Sequence, residues 1–232
     1  MSSMLVCLDF DGTLAELHPD PYAVRIHPGA ERAIRRLAAA PDTEVVILTG
    51  RHIAGIRQIL PADLPVTVVG SHGAEPGPTL SAADRAYLDN IEAQLAPLAT
   101  EGAYVEVKPF QRVLHVAKVA DPARAEAILA AANRIDTGGR PTTQGHNVVE
   151  FSAVETTKGT WLREYKKRFN TTVFAGDDDT DEHAIAVLGP NDFGIKVGHK
   201  PSTATRRVPN VDAMAQLLTQ LADEREAWSA TR

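Results

Sequence analysis

A chain of 232 residues, 44% hydrophobic and 23% charged, is long and apolar enough to bury a core, which excludes an intrinsically disordered segment. Its net charge of −6 offers no broad cationic field, so no nucleic-acid or anionic-membrane partner is expected. The single cysteine, Cys7, excludes an internal disulfide framework; no run approaches the ~18–20 apolar residues of a membrane span and the N-terminus is not leader-like, so the protein is expected in the cytoplasm.

Leu5–Leu8 reads as a first strand, with Cys7 a small buried hydrophobe. Behind Pro28, Ala30, Ala33, Ile34, Leu37 and Ala38 recur at helical spacing. Glu44–Leu48 is a second strand, Ile53, Ile56 and Leu60 repeat the helical spacing, and Pro65–Val69 is a third strand. The rhythm then breaks into a helix at about 81–100, strands at Tyr104–Lys108 and Val113–Val119, a helix at about 122–134, and strands at Pro141–Gln144 and Asn147–Phe151. This αββαββ pattern is a small sheet of its own, entered through Pro76-Gly77-Pro78 and left through Ser152–Thr156. The alternation resumes with a helix carrying Trp161, Leu162, Tyr165 and Phe169, strands Thr171–Ala175 and Phe193–Val197, and a helix carrying Met214, Leu217, Leu218 and Leu221. The expected fold is a doubly wound α/β core with a parallel sheet over 1–77 and 154–232, interrupted by an inserted domain over 78–153.

The chemistry is concentrated at strand ends. Asp9-Phe10-Asp11-Gly12-Thr13-Leu14 follows the first apolar run, placing carboxylates at the carboxyl edge of a buried strand, where open α/β sheets bind ligands. An Asp- and Gly-rich turn is by itself ordinary loop chemistry. A second acidic cluster, Gly176-Asp177-Asp178-Asp179-Thr180-Asp181-Glu182, follows another apolar run and faces the same crevice. Clustered carboxylates raise one another's pKa unless a cation neutralises them, and hard oxygen donors select an ion like Mg²⁺. Thr49-Gly50-Arg51, at a third strand end, suits a phosphate oxygen, and Lys158 opens a helix where an ammonium and backbone amides meet. No Gly-x-Gly-x-x-Gly follows the first strand, and acids in its place repel a pyrophosphate, which argues against a dinucleotide binder.

Taken in order, Asp9–Leu14, Thr49–Arg51, Lys158 and Gly176–Asp181 resemble the four motifs of the haloacid-dehalogenase-like phosphatases. The resemblance implies Asp9 as nucleophile, Asp11 as general acid and base, and Thr49 and Lys158 as holders of the phosphoryl oxygens. It further implies Mg²⁺ held by the Asp9 carboxylate, the Asp11 backbone carbonyl and Asp177, with Asp178 nearby through water and Asp181 in support. The inserted αββαββ segment is similar to the specificity cap of the sugar-phosphatase branch.

Within that branch, Ser71–Glu75, Val105–Lys108, His146–Glu150 and Gly176–Glu182 resemble the trehalose-6-phosphate phosphatase family, which implies sugar contacts by Glu106, Lys108 and Glu150. Gly50, Arg51 and His72 complete the candidate substrate side, although His72 reads equally as a histidine packed beside Gly73, and Glu106 and Lys108 as the solvent face of a strand. Thr49 in place of a frequent serine, Ala15-Glu16-Leu17 and the third acid Asp179 depart from the branch's pattern. The expected activity is hydrolysis of trehalose 6-phosphate by a monomer. The rivals are a phosphatase for sucrose, glucosylglycerol or mannosylglycerate phosphate, and an inactive sugar-phosphate-binding module.

Overall fold

Strands that are apolar on both faces must be covered on both faces, and the helices between them supply the cover. The computed structural model describes residues 3–77, 79–145 and 147–230; Pro78, read as part of a hinge, and His146, read as part of a family segment, lie outside them. The chain packs into two compact units, Met1–Pro76 with Thr156–Arg232, and Gly77–Glu155.

The first unit runs β1 (Met4–Leu8), α1 (Pro28–Ala39), β2 (Thr43–Leu48), α2 (Ile53–Ile56) and β3 (Thr67–Val69) before the second unit begins. The second unit comprises α3 (Ala82–Leu95), β4 (Tyr104–Val107), β5 (Gln111–His115), α4 (Pro122–Ala132), β6 (Thr142–Gly145) and β7 (Val148–Ser152). The first unit resumes with α5 (Lys158–Tyr165), β8 (Thr171–Gly176), α6 (Asp179–Ile185), β9 (Phe193–Val197), β10 (Arg206–Val208) and α7 (Val211–Ala230). No helix among the described residues is long and apolar enough to cross a membrane.

Six parallel strands form the first sheet in the order β10-β9-β8-β1-β2-β3. Alternate side chains leave β1 for opposite faces, as a pleat requires. Val6 and Leu8 join Ile34 and Leu37 of α1 and Met214 and Leu218 of α7 in one core, while Leu5 and Cys7 join Leu162 of α5 and Ala184 and Ile185 of α6 in the other. Each such Leu, Ile or Val contributes roughly 1.5–3 kcal/mol by leaving water. Pro28 fits the first turn of α1, where its missing N–H costs nothing, and His27 caps that turn by accepting from the Gly29 amide.

After β1 the chain steps outward to β2 and β3, then returns to the other side of β1 with β8. That reversal makes the crevice between β1 and β8 a topological switch point. Leu8 pairs with Ile47 on one side and Ala175 on the other, so Asp9, Thr49 and Asp177 all emerge at one edge of the sheet.

The second unit is an antiparallel sheet, β4-β5-β7-β6, with one face packed on α3 and α4 through Ile91, Leu95, Leu114, Ile128, Val149 and Phe151. On the opposite face Val113 pairs with Glu106 on one side and Glu150 on the other.

Several element boundaries differ from the sequence pattern for local reasons. The expected helix through Leu60 is α-helical only over Ile53–Ile56 and continues as turns in which the Gln58 and Ile59 amides donate three residues back, to the Gly55 and Ile56 carbonyls. The strand expected over Val113–Val119 starts at Gln111 and ends at His115. Strand β10, three residues with two arginines, has too little apolar periodicity to be anticipated.

Candidate active site

Asp9 continues β1 by one residue, its amide donating to the Ala175 carbonyl at 2.9 Å, and its side chain is buried. Lys158, the first residue of α5, is likewise buried. Thr157 caps that helix by accepting from the Thr160 amide, which fixes where the helix begins and aims the Lys158 side chain inward. The Lys158 ammonium donates to Asp9 Oδ1 at 2.6 Å and to Asp181 Oδ1 at 2.8 Å. Asp181 is wholly buried and its other oxygen accepts from the Asp178 amide at 2.9 Å. Carboxylate oxygens of Asp9, Asp177 and Asp181 lie within 4.8 Å of one another.

Gly12 lets Asp177 reach this cluster. Its φ is +75°, and a Cβ there would sit 2.3 Å from Asp177 Oδ2. Only glycine combines that backbone with that clearance.

Three carboxylates around one ammonium leave the cluster negative. Burial pushes the Asp9 carboxyl well above the usual range; Lys158 pulls it down, while Asp181 and Asp177 push it up. Burial, then Asp181 and Asp178, raise Asp177 to about 7. For Lys158 burial acts to lower the pKa, but Asp181 and Asp9 outweigh it and the ammonium is held charged. Carboxyls that resist ionisation because they are buried and crowd one another, in an all-oxygen set, fit a hard divalent cation such as Mg²⁺.

The other two acids of the sequence reading have cationic partners. Asp11 is gripped bidentately by Arg51, Nε to Oδ2 at 2.7 Å and Nη2 to Oδ1 at 2.6 Å. Asp178 pairs with Lys200; burial opposes ionisation there, but the Lys200 hydrogen bond prevails and its pKa is lowered. Thr49 is buried, its Oγ1 accepting from the Arg51 amide at 3.1 Å.

The segment after β3 is laced to this loop. The Ser71 amide donates to the Arg51 carbonyl at 2.8 Å, and the His72 amide to the Thr49 carbonyl at 2.9 Å. Ser71 and His72 have φ of +49° and +55°, a conformation side chains resist and functional loops tolerate when the surroundings enforce it. Glu75 does the enforcing, accepting from Ser71 Oγ at 2.5 Å and from the Ile53 amide at 3.3 Å. The His72 ring consequently lies on Gly50, where a Cβ would approach Cε1 to 2.5 Å. A cleft of about 340 Å³ beside Asp177 is lined by Gly12, Leu17, Lys200 and Asn210.

In the second unit Lys108 donates to Glu150 at 3.0 Å, and Glu106 pairs with His115 at 2.9 Å. The structure thus gathers Asp9, Asp177 and Lys158 with Asp181, gathers Asp11, Thr49, Gly50, Arg51 and His72 in a neighbouring loop pair, and sets Glu106, Lys108 and Glu150 within the second unit. Sequence reasoning missed Lys196, whose ammonium is wholly buried against the Asp178 carbonyl and Glu182.

The family model described as trehalose-phosphatase matches residues 7–218. A trehalose-phosphate phosphatase of Mycobacterium marinum is 34% identical over 84% of this chain and 54% of its own length. A bifunctional trehalose-6-phosphate synthase/phosphatase of Thermoproteus tenax is 31% identical over 94% of this chain and 32% of its own. The chain therefore spans about a third to a half of these two relatives. The C-terminal domain of the C. albicans trehalose-6-phosphate phosphatase superposes with a TM-score of 0.80 at 17% identity, covering 96% of this chain and 92% of that one.

Proposed function

This chain belongs to the trehalose-phosphatase family, and on that footing we propose that it is a Mg²⁺-dependent phosphatase hydrolysing trehalose 6-phosphate to trehalose and phosphate. The observation that carries the reading is the buried Lys158 joining Asp9 to Asp181, with the Asp177 carboxylate within 4.8 Å of both acids. A buried ammonium beside a strand-end carboxylate is suited to the anionic oxygens of a phosphoryl group.

Asp9 attacks phosphorus through a carboxylate oxygen, and the P–O bond to the sugar breaks as the aspartyl-phosphate forms. Asp11 gives its proton to the departing sugar oxygen, then takes one from the water that cleaves the acyl phosphate and frees Asp9. Arg51 holds both Asp11 oxygens in this structure, so each transfer requires the guanidinium to release one of them. Thr49 and Lys158 hold the non-bridging oxygens, and Gly50 and His72 shape the loop beside them. Asp9, Asp177 and the Asp11 carbonyl would hold the ion, with Asp178 through water and Asp181 in support. When bound, Mg²⁺ screens the nucleophile from the phosphate and offsets charge on its oxygens.

We assign residues 1–77 and 154–232 to catalysis and 78–153 to a specificity cap, in which Glu106, Lys108 and Glu150 bind sugar hydroxyls. Buried polar groups discriminate strongly because a mismatched sugar leaves them unpaired. We also propose the cytoplasm as the place of the reaction.

Phosphate release from a panel of sugar phosphates, with and without Mg²⁺, tests the reading. Turnover of trehalose 6-phosphate above sucrose, glucosylglycerol and mannosylglycerate phosphates is expected. Preference for another member transfers the assignment to that sugar, and no Mg²⁺-dependent turnover on any ends it. Glu106→Ala is expected to lower kcat/KM for trehalose 6-phosphate about 10–100-fold, the cost of a lost charged hydrogen bond.

A further inference from the structure

Lys196 lies in β9 with a side chain of zero exposure. A buried ammonium costs several kcal/mol unless its donors are satisfied and its charge is paired. Its charge is paired and two of its three donors are used: Nζ donates to the Asp178 carbonyl at 3.0 Å and to Glu182 Oε1 at 2.9 Å. Glu182 is itself anchored, its other oxygen accepting from Ser202 Oγ and the Thr203 amide, each at 3.2 Å.

The position of this pair matters more than its strength. Strands β8 and β9 run parallel with Gly176 opposite Lys196, so the lysine stands beside the point where the chain leaves β8 for Asp177. The turn that follows is pinned from two directions. The Asp178 amide is held by Asp181, which belongs to the Lys158 cluster, and the Asp178 carbonyl is held by Lys196, which belongs to the sheet. Asp177 is one peptide bond from both attachments. Lys200 meets the Asp178 carboxylate separately, from a half-exposed position, and does not hold the backbone.

We propose that Lys196 is a positioning residue for the divalent ion: by fixing the Asp178 carbonyl to β9 it sets the reach of Asp177 toward Asp9 and Asp181. The proposal rests on the metal reading above. An apolar residue at 196 would take the Lys196 donor from the Asp178 carbonyl and from Glu182 Oε1, leaving Glu182 held only through Oε2.

Mn²⁺ binding by calorimetry on the metal-free protein tests this, comparing Lys196→Met, Glu182→Gln and Leu218→Ala with the wild type. Partners that orient metal ligands are worth about 10–100-fold in affinity. Lys196→Met is therefore expected to weaken Mn²⁺ binding at least tenfold and to raise the Mg²⁺ concentration for half-maximal turnover by a similar factor. Glu182→Gln keeps the shape without the countercharge and is expected to weaken binding in the same direction by a smaller factor. Leu218→Ala hollows the core under α7 on the other face of the sheet; it lowers Tm and leaves Mn²⁺ affinity unchanged.

Wild-type Mn²⁺ affinity in Lys196→Met overturns the proposal, as does an equal loss in Leu218→Ala, which would reduce Lys196 to general stability. Should Lys196→Met fail to fold, wild-type affinity in Glu182→Gln overturns it instead. A wild-type protein that takes up no Mn²⁺ removes the metal reading itself and the proposal with it.

Discussion

Replacing Lys158 by methionine keeps the length of the side chain and removes only its charge and donors. Two carboxyl groups, Asp9 at 5% and Asp181 at 0% exposure, then lose the ammonium 2.6 and 2.8 Å away. Breaking a buried pair from one side costs about 3–5 kcal/mol, because the remaining charge is stranded. Asp9, whose carboxyl burial already pushes up, relieves part of that cost by binding a proton, so the loss depends on pH. A carboxyl pKa raised by folding contributes stability that is complete below the unfolded value of about 4 and lost as pH rises through the folded value. Lys158, whose own pKa is raised, stabilises the wild type throughout that window. The variant's deficit should thus be small near pH 5 and approach about 3–5 kcal/mol near pH 8. At roughly 2–4 °C per kcal/mol for a chain of this size, the Tm falls by about 6–20 °C at the higher pH. Thermal denaturation in chelator at the two pH values measures it. A deficit below about 1 kcal/mol at pH 8, or one that does not grow with pH, would refute the electrostatic account of the cluster.

Asp9→Asn is expected to abolish phosphate release while the far-ultraviolet circular dichroism stays native; residual turnover near the wild-type rate would exclude the covalent route. Gly12→Ala meets a left-handed backbone that costs about 1–2 kcal/mol and a Cβ that displaces Asp177, so urea denaturation should show that loss and Mn²⁺ calorimetry a weakened ion. Unchanged Mn²⁺ affinity there would contradict the geometry. Asp177, raised to about 7, contributes stability to the metal-free protein below about pH 4 that is lost as pH rises through 7, and a cation offsets the loss. The Mg²⁺-induced rise in Tm should accordingly be larger near pH 8 than near pH 6, with proton release on binding below pH 7; a rise independent of pH would count against Asp177 as a ligand.

The fold class is legible because apolar runs and helical spacings alternate along the chain, and strands covered on both faces imply a parallel sheet; the order β10-β9-β8-β1-β2-β3 comes from the structure. Asp9 and Asp177 stand out because each follows an apolar run, so a strand end and an acid coincide. What stays hidden is pairing across distance. Nothing near Asp11 announces Arg51 forty positions on, and nothing near Asp181 tells that Lys158 will select it over Asp178. Lys196 is the clearest case. Inside Phe193–Val197 a lone lysine reads as the charge of an ordinary strand, because the carbonyl and carboxylate that justify its burial arrive from the turn and helix beyond a neighbouring strand.

Lys158 and Asp9 meet across 149 positions of chain. During synthesis the opening strand leaves the ribosome long before the partner at Thr171–Gly176 exists, and so must wait with one of its two edges unfilled. The interposed Gly77–Glu155 unit has the opposite situation, since all of its ladders join segments inside that stretch. Closing short loops is faster than closing long ones, so the interposed unit is ready to fold while the strand made before it is still waiting. Asp9 is translated well before Lys158 and the second acidic cluster, so the site proposed above stays incomplete until all three have been made.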